Sequence, residues 1–152
     1  MENSKNKFMR LALKEAEKAA LFDEVPIGCV IVKNKKVISH GHNLREKTND
    51  VTSHAEIVAI RKASKKLNDW QLVDCDLYVT IEPCVMCMGA IIQSHIKNVY
   101  YGSEDPKAGA VSKFHLLELE GHNHYPNIEG GILKEECSNI VKDYFRNKRK
   151  NK

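Results

Sequence analysis

Two short segments, His54-Ala55-Glu56 and Pro83-Cys84-Val85-Met86-Cys87, hold the residue types that bind metal and move protons. Zinc takes four tetrahedral ligands, imidazole and thiolate by preference, and a catalytic zinc keeps one position for water. His54, Cys84 and Cys87 supply three ligands and leave the fourth position open. Zinc in such a setting lowers the pKa of its water from about 15.7 to about 7. Glu56 is not needed as a ligand, so its carboxylate is free to take the water's proton and hand it on.

Each segment alone has a plainer reading. A histidine near a helix start is often a cap or a satisfied polar group, and Cys-x-x-Cys after a strand can be a redox pair. A structural zinc site would need a fourth protein ligand, and His40, His42, His95, His115, His122 and His124 are available. A thioredoxin-like pair would leave His54-Ala55-Glu56 without a role. A non-catalytic nucleic-acid-binding protein would leave the whole metal set without one.

The elements around these residues must bring them together. His54 and Glu56 are two apart, about 200° of rotation on a regular helix at ~100° per residue, so they converge only at a helix end. Periodicity predicts a helix over 54–67, with Ile57, Ile60, Ala63 and Leu67 on one face, and another over 84–93 that opens at Cys84 after Pro83. Both motifs then fall at helix starts. Unpaired N–H groups and positive dipole ends there lower thiolate pKa values.

An amphipathic helix is expected over 7–21, carrying Phe8, Leu11, Ala12, Ala16 and Ala19. A hairpin follows, with strands over 28–32 and 37–41 turning at Asn34-Lys35, then a polar loop over 43–53. Strands are expected over 76–80, 98–102 and 128–133, with an irregular connection over 103–127 and a last helix over 134–149. This order indicates an α/β protein with three layers built over one mixed sheet.

The 152 residues make one domain's worth of chain, so 1–152 is read as a single domain. With 42% hydrophobic and 29% charged residues the composition is that of a globular protein. No apolar run approaches the roughly 20 residues that span a bilayer, and the first ten residues lack a signal-peptide core. No membrane association and a cytoplasmic location are expected. Five cysteines, an odd number with two of them three apart, fit metal chemistry better than a disulfide scaffold. Of the 24 basic residues, five (Arg146, Lys148, Arg149, Lys150 and Lys152) fall in the last seven positions, leaving 19 against 20 acids elsewhere. A neutral body with a basic helix and tail over 134–152 suits a polyanionic partner, nucleic acid above all.

Taken together, the two segments match the H-x-E…P-C-x-x-C signature known for zinc deaminases of nucleobases, bacterial tRNA deaminases among them. From about Phe8 to Arg149 the chain resembles the bacterial tRNA-specific adenosine deaminases of the cytidine-deaminase-like superfamily. The resemblance rests on Glu24-Val25-Pro26-Ile27-Gly28, Gly41-His42-Asn43-Leu44-Arg45, His54-Ala55-Glu56 and Glu82-Pro83-Cys84-Val85-Met86-Cys87-Met88-Gly89-Ala90, then Asp105-Pro106-Lys107-Ala108-Gly109, Asn123-His124 and Tyr144-Phe145-Arg146. It implies an α/β/α cytidine-deaminase-like fold with a central mixed five-stranded sheet, one zinc ion per chain, and a homodimer.

The same resemblance implies hydrolytic deamination of adenosine to inosine at the wobble position of a tRNA anticodon loop. His54, Cys84 and Cys87 would bind zinc and Glu56 would shuttle protons. Asn43 would hydrogen-bond the flipped base, Ile27 would pack on it, and backbone N–H groups near Ala55 and Cys84 would face the reacting oxygen. Asp105, Lys107, Asn123 and Phe145 would contact the anticodon loop; Arg146 and Arg149, as part of the basic tail, are expected on phosphates. Two features depart from the pattern: Tyr144 replaces a common phenylalanine, and Ser112-Lys113-Phe114 replaces a smaller, serine- and glycine-rich stretch. A deaminase of free guanine or a free nucleoside shares the zinc set; the basic tail is the feature it would not require.

Overall fold

The computed structural model describes residues 3–150, so Lys152 of the basic tail and both extreme ends of the 1–152 expectation lie outside the described residues. The first helix, α1 (Ser4–Leu21), is capped by Asn3, whose side chain accepts the Asn6 N–H at 2.8 Å. A hairpin follows, β1 (Gly28–Lys33) and β2 (Lys36–His42). Its turn residues Asn34 and Lys35 both have positive φ, 51° and 63°, as a two-residue type I′ turn demands. The rest of the order is α2 (Arg45–Thr48), α3 (Ala55–Leu67), β3 (Cys75–Ile81), α4 (Val85–Gln93), β4 (Asn98–Ser103), β5 (Asn127–Glu129) and α5 (Lys134–Lys150).

The five strands form one mixed sheet in the order β2-β1-β3-β4-β5. β1 runs antiparallel to both β2 and β3, while β3, β4 and β5 are parallel. Side chains alternate across the sheet, and each face builds its own core. Cys29 and Ile31 of β1 join Leu77 and Val79 of β3 under α3 and α4, with Ala59, Met88 and Ile91. Val30 and Val32 of β1 and Tyr78 of β3 point the other way, against Phe8, Met9 and Ala12 of α1 and Cys137 of α5. Helices therefore cover both faces, the three-layer arrangement that a β-α-β alternation produces.

Strand direction decides where a site can form. Because β1 opposes its neighbours, its first residues share one end of the sheet with the last residues of β2, β3 and β4. That end also receives the starts of α3 and α4. A Cβ on Gly28, at the start of β1, would overlap the Ala12 carbonyl of α1, so only glycine lets the strand seat there.

The structure departs from the sequence-based expectations in four respects. The loop expected over 43–53 contains the one-turn helix α2, and the connection 103–127 contains a 3-10 turn at Leu116–Glu118. The strand expected over 128–133 stops at Glu129. Beyond it Gly131 (φ 87°) and Leu133 (φ 51°) take left-handed backbone, which turns the chain off the ladder and into α5. His54 and Cys84, expected at helix starts, stand one residue before them as N-caps.

Leu77 is fully buried in a central strand, and Leu77→Ala should lower unfolding stability by about 2–5 kcal/mol. Leu21, 81% exposed at the end of α1, should change it by no more than about 0.5 kcal/mol when truncated to alanine. Urea unfolding of both variants checks the pair.

Candidate active site

Both N-caps have extended backbone, His54 at φ −72°, ψ 158° and Cys84 at φ −76°, ψ 176°. Their carbonyls start the helices by accepting from Val58 at 3.0 Å and Met88 at 2.9 Å. Neither side chain folds back to cap its own helix. Both point instead into the space between the helix ends, and Cys87, one turn into α4, faces the same point. Of the cap's two usual functions, the backbone keeps one and the side chain gives up the other.

The donor atoms of His54, Cys84 and Cys87 all lie within 4.8 Å of one another. A tetrahedral zinc with Zn–S of about 2.3 Å and Zn–N of about 2.0–2.1 Å sets its nitrogen and sulfur ligands about 3.6 Å apart. His54 Nδ1 stands 3.7 Å from Cys84 Sγ and 3.5 Å from Cys87 Sγ. The two nitrogen-to-sulfur edges of one face of such a tetrahedron thus already have their lengths. Among the described residues no further histidine joins this group. His40 and His42 face Glu15, His115 pairs with Glu118, and His95 packs on His124. His122 and His124 donate to the Leu116 and Ile96 carbonyls. A closed, four-ligand structural site finds no histidine among the described residues for its fourth corner.

Charge at the cluster is set by burial and by mutual hydrogen bonding. Burial pushes the Glu56 carboxyl up to about 7, and the neighbouring Cys84 charge adds to the rise. The Cys84 thiol is held down at about 4 by hydrogen bonds from Cys87 and His54. Cys87 moves the opposite way, because the sulfur beside it already carries the charge and because it is buried. The two sulfurs titrate as a pair sharing one proton. The hydrogen bond to Cys84 raises the His54 imidazole.

A cavity of about 190 Å³ opens over the cluster, lined by Ile27, Asn43, His54, Ala55, Glu56, Cys84 and Asp105 among others. All seven were singled out from sequence, and Cys87 lies buried behind them. Asn43 is 6% exposed; its Oδ1 accepts the Arg45 N–H at 3.1 Å and its Nδ2 donates to the Val25 carbonyl at 3.5 Å. Phe145 is outside this cavity and lines an adjoining groove of about 390 Å³, which shares Val25, Ile27, Ile81 and Asp105 with it. Lys107, Asn123, Arg146 and Arg149 are exposed and line neither space. Arg45 and Glu82 also line the cavity. Both sit inside the quoted sequence segments, but nothing in their spacing marks them as pocket residues.

Comparison with known proteins gives this geometry its relatives. Residues 3–149 match the family model described as MafB19-like deaminase. A Streptococcus pyogenes (serotype M18) protein named tRNA-specific adenosine deaminase is 47% identical over 146 residues, 95% of this chain and 92% of that one. The Bacillus subtilis protein of that name is 43% identical over 146 residues, 95% and 91% of the two chains. A solved structure from work on A-to-I editing by tRNA:A34 deaminases at the wobble position superposes with a TM-score of 0.86 at 44% identity, covering 88% of this chain and 98% of that one. A guanine deaminase from Nitrosomonas europaea shares the fold alone, with a TM-score of 0.75 at 20% identity over 91% and 83% of the two chains.

The unequal thiols set a test in metal-free protein. An ordinary thiol, with a pKa of about 8.5, alkylates roughly tenfold faster per pH unit below that value. Cys84, half-exposed and already ionised above pH ~4, should alkylate first and at a rate that stays flat between pH 6 and 8. Mass mapping after a short iodoacetamide pulse reads this; a Cys84 rate that climbs tenfold per unit contradicts it.

Proposed function

The chain belongs to the MafB19-like deaminase family, and we propose that its substrate is the wobble adenosine of a tRNA anticodon loop, converted hydrolytically to inosine. The observation that carries this reading is the placement of Glu56 beside the His54, Cys84 and Cys87 cluster at the floor of a small cavity. At about 190 Å³ the cavity is below the roughly 300–1,000 Å³ of drug-sized ligand sites. It takes one base, not a whole nucleotide.

His54 Nδ1, Cys84 Sγ and Cys87 Sγ would hold one zinc ion, which supplies an activated water at neutral pH. Glu56 would take one proton from the attacking water and pass it to the ring nitrogen of adenine as the carbon–oxygen bond forms. It would then take the second proton from the new hydroxyl and give it to the amine, which leaves as ammonia as the carbon–nitrogen bond breaks and the carbonyl forms. A carboxyl beside the cluster can both take and return a proton, the two directions of transfer that a general acid-base must serve. Ile27 packs on the base. Asn43 uses one of its two amide hydrogens on Val25 and has the other to offer. The N–H groups at Ala55 and Cys84, at the positive ends of their helices, face the oxygen side.

A base enters only after leaving its stack, which costs least in a loop that is already largely single-stranded. The strand that delivers it would run through the adjoining groove past Phe145, with Asp105 on the shared wall. Lys107, Asn123, Arg146 and Arg149 are read as contacts to the loop and its phosphates outside the pocket. Val85 and Met86 of α4 are exposed and support a homodimer as the working form. Among the described residues no helix is long and apolar enough to cross a membrane, and a cytoplasmic location fits a tRNA substrate.

Purified protein should carry one zinc per chain by elemental analysis, and Cys84→Ala or Cys87→Ala should lose it. Glu56→Ala should keep the zinc while its single-turnover rate falls by about 100-fold or more. Retention of a tenth of the wild-type rate would refute the proton-transfer role.

Deleting residues 146–152 should weaken binding of all tRNA sequences alike, because bonds to phosphate carry no base information. The log–log salt dependence should flatten by roughly 0.7–0.9 for each phosphate that the shortened chain leaves unneutralised. Zinc content should not change. Unchanged affinity and slope, with efficient turnover of free guanine, would favour a small-molecule deaminase.

A further inference from the structure

Two glutamates that the mechanism does not use are among the most buried polar residues of the protein, Glu24 at 1% and Glu82 at 3% exposure. Each carboxylate is spent on backbone N–H groups of a segment more than twenty residues away. Glu24 accepts Glu46 N–H through Oε1 at 3.0 Å and Lys47 N–H through Oε2 at 2.7 Å. Glu82 accepts Asp105 N–H (3.0 Å) and the Ser112 hydroxyl (2.7 Å) on Oε1, and Val111 N–H (2.9 Å) and Ser112 N–H (2.8 Å) on Oε2. Two hydrogen bonds thus hold the first segment and four hold the second.

The two anchored segments are the pocket's walls. Segment 43–48 presents Asn43 and Arg45 to the cavity, and segment 105–112 presents Asp105 and Ala108. The second wall also buttresses a metal-ligand position: Gly109 bridges to Cys84 and the Ala110 N–H donates to the Pro83 carbonyl at 3.0 Å. A Cβ at Gly109 would overlap the Glu82 carboxylate, which shows how closely the wall is drawn onto its anchor. Helix α2 has no side-chain cap of its own, and Glu24 serves from outside it. The geometry points to Glu24 and Glu82 as the positioning residues of the pocket, each fixing one wall through its backbone; what the pocket holds rests on the deaminase reading above.

The test compares Glu24→Gln and Glu82→Gln, near-isosteric changes that turn one acceptor oxygen into a donor facing N–H groups, in the zinc-loaded protein. Amide exchange at residues 46 and 47 in the first variant, and at 105, 111 and 112 in the second, should speed up by roughly 10-fold or more. Core amides of β1 and β3 and the zinc content should stay as in the wild type. Inosine formation in an anticodon stem-loop should slow about 10-fold in single turnover, while the stem-loop Kd moves less than about 3-fold. Since Glu24 acts by placing Asn43, Glu24→Gln should cost less than about 3-fold in an Asn43→Ala background.

Unchanged exchange at the named amides, exchange rising equally across β1 and β3, or additive losses with Asn43→Ala would each overturn the inference. Should Glu82→Gln not fold, Ser112→Ala, which removes one donor alone, must still speed exchange at 105 and 111. A wild type that forms no inosine would break the deaminase reading only, and the exchange rates would still judge the two anchors.

Discussion

The convergence of His54 and Cys84, as N-caps of two helices that start at one end of the sheet, is the feature from which the rest of the site follows. A capping side chain ordinarily satisfies the first free N–H groups of its own helix. Here both give up that bond and point away. The helix ends keep their positive character and direct it at the cluster, which favours thiolate over thiol and anion over neutral oxygen. The arrangement needs β1 antiparallel to β3, so that Ile27 and Asn43 reach the same end of the sheet as Cys84. A parallel β1 would carry them to the opposite end.

Electrostatic balance is the second requirement. Glu56, Cys84 and Cys87 are three acidic groups in a small, mostly buried volume, and burying unpaired charge is costly. The protein alone meets this by protonation: Glu56 is raised to about 7 and the sulfurs share one proton. A divalent cation seated on the three donors answers the same excess of negative charge, and it requires both sulfurs as thiolates. The cluster is poised for a cation, with a carboxyl beside it held near neutrality.

Much of this is legible in the sequence, for a physical reason. The i, i+2 spacing of His54 and Glu56 excludes a mid-helix site, so the helix end follows from geometry. The hairpin turn at Asn34-Lys35 follows from local chemistry in the same way. What stays hidden is what depends on distant partners. Glu24 and Glu82 read as motif residues without a task, since their bonds reach segments 22 to 30 positions away. Arg45 reads as loop, because nothing in the polar run 43–53 announces the single turn of α2. The strand expected over 128–133 fails at two left-handed residues, one of them Leu133, which no propensity flags. Lys107 and Asn123 rest on resemblance alone, Arg146 and Arg149 on the charge of the tail, and the structure leaves all four exposed outside the pocket.

On the proposed function, the defining step is the addition of water's oxygen to an adenine that tRNA would deliver to the buried carboxyl and its three-donor neighbour. Incubating the purified protein with total tRNA in oxygen-18 water, beside free guanine and free nucleosides, and digesting the RNA for mass analysis follows that oxygen. Inosine at the first anticodon position should carry the heavy isotope, with the free bases essentially untouched. Heavy-oxygen product from free guanine or a free nucleoside, with the tRNA unchanged, would contradict the assignment.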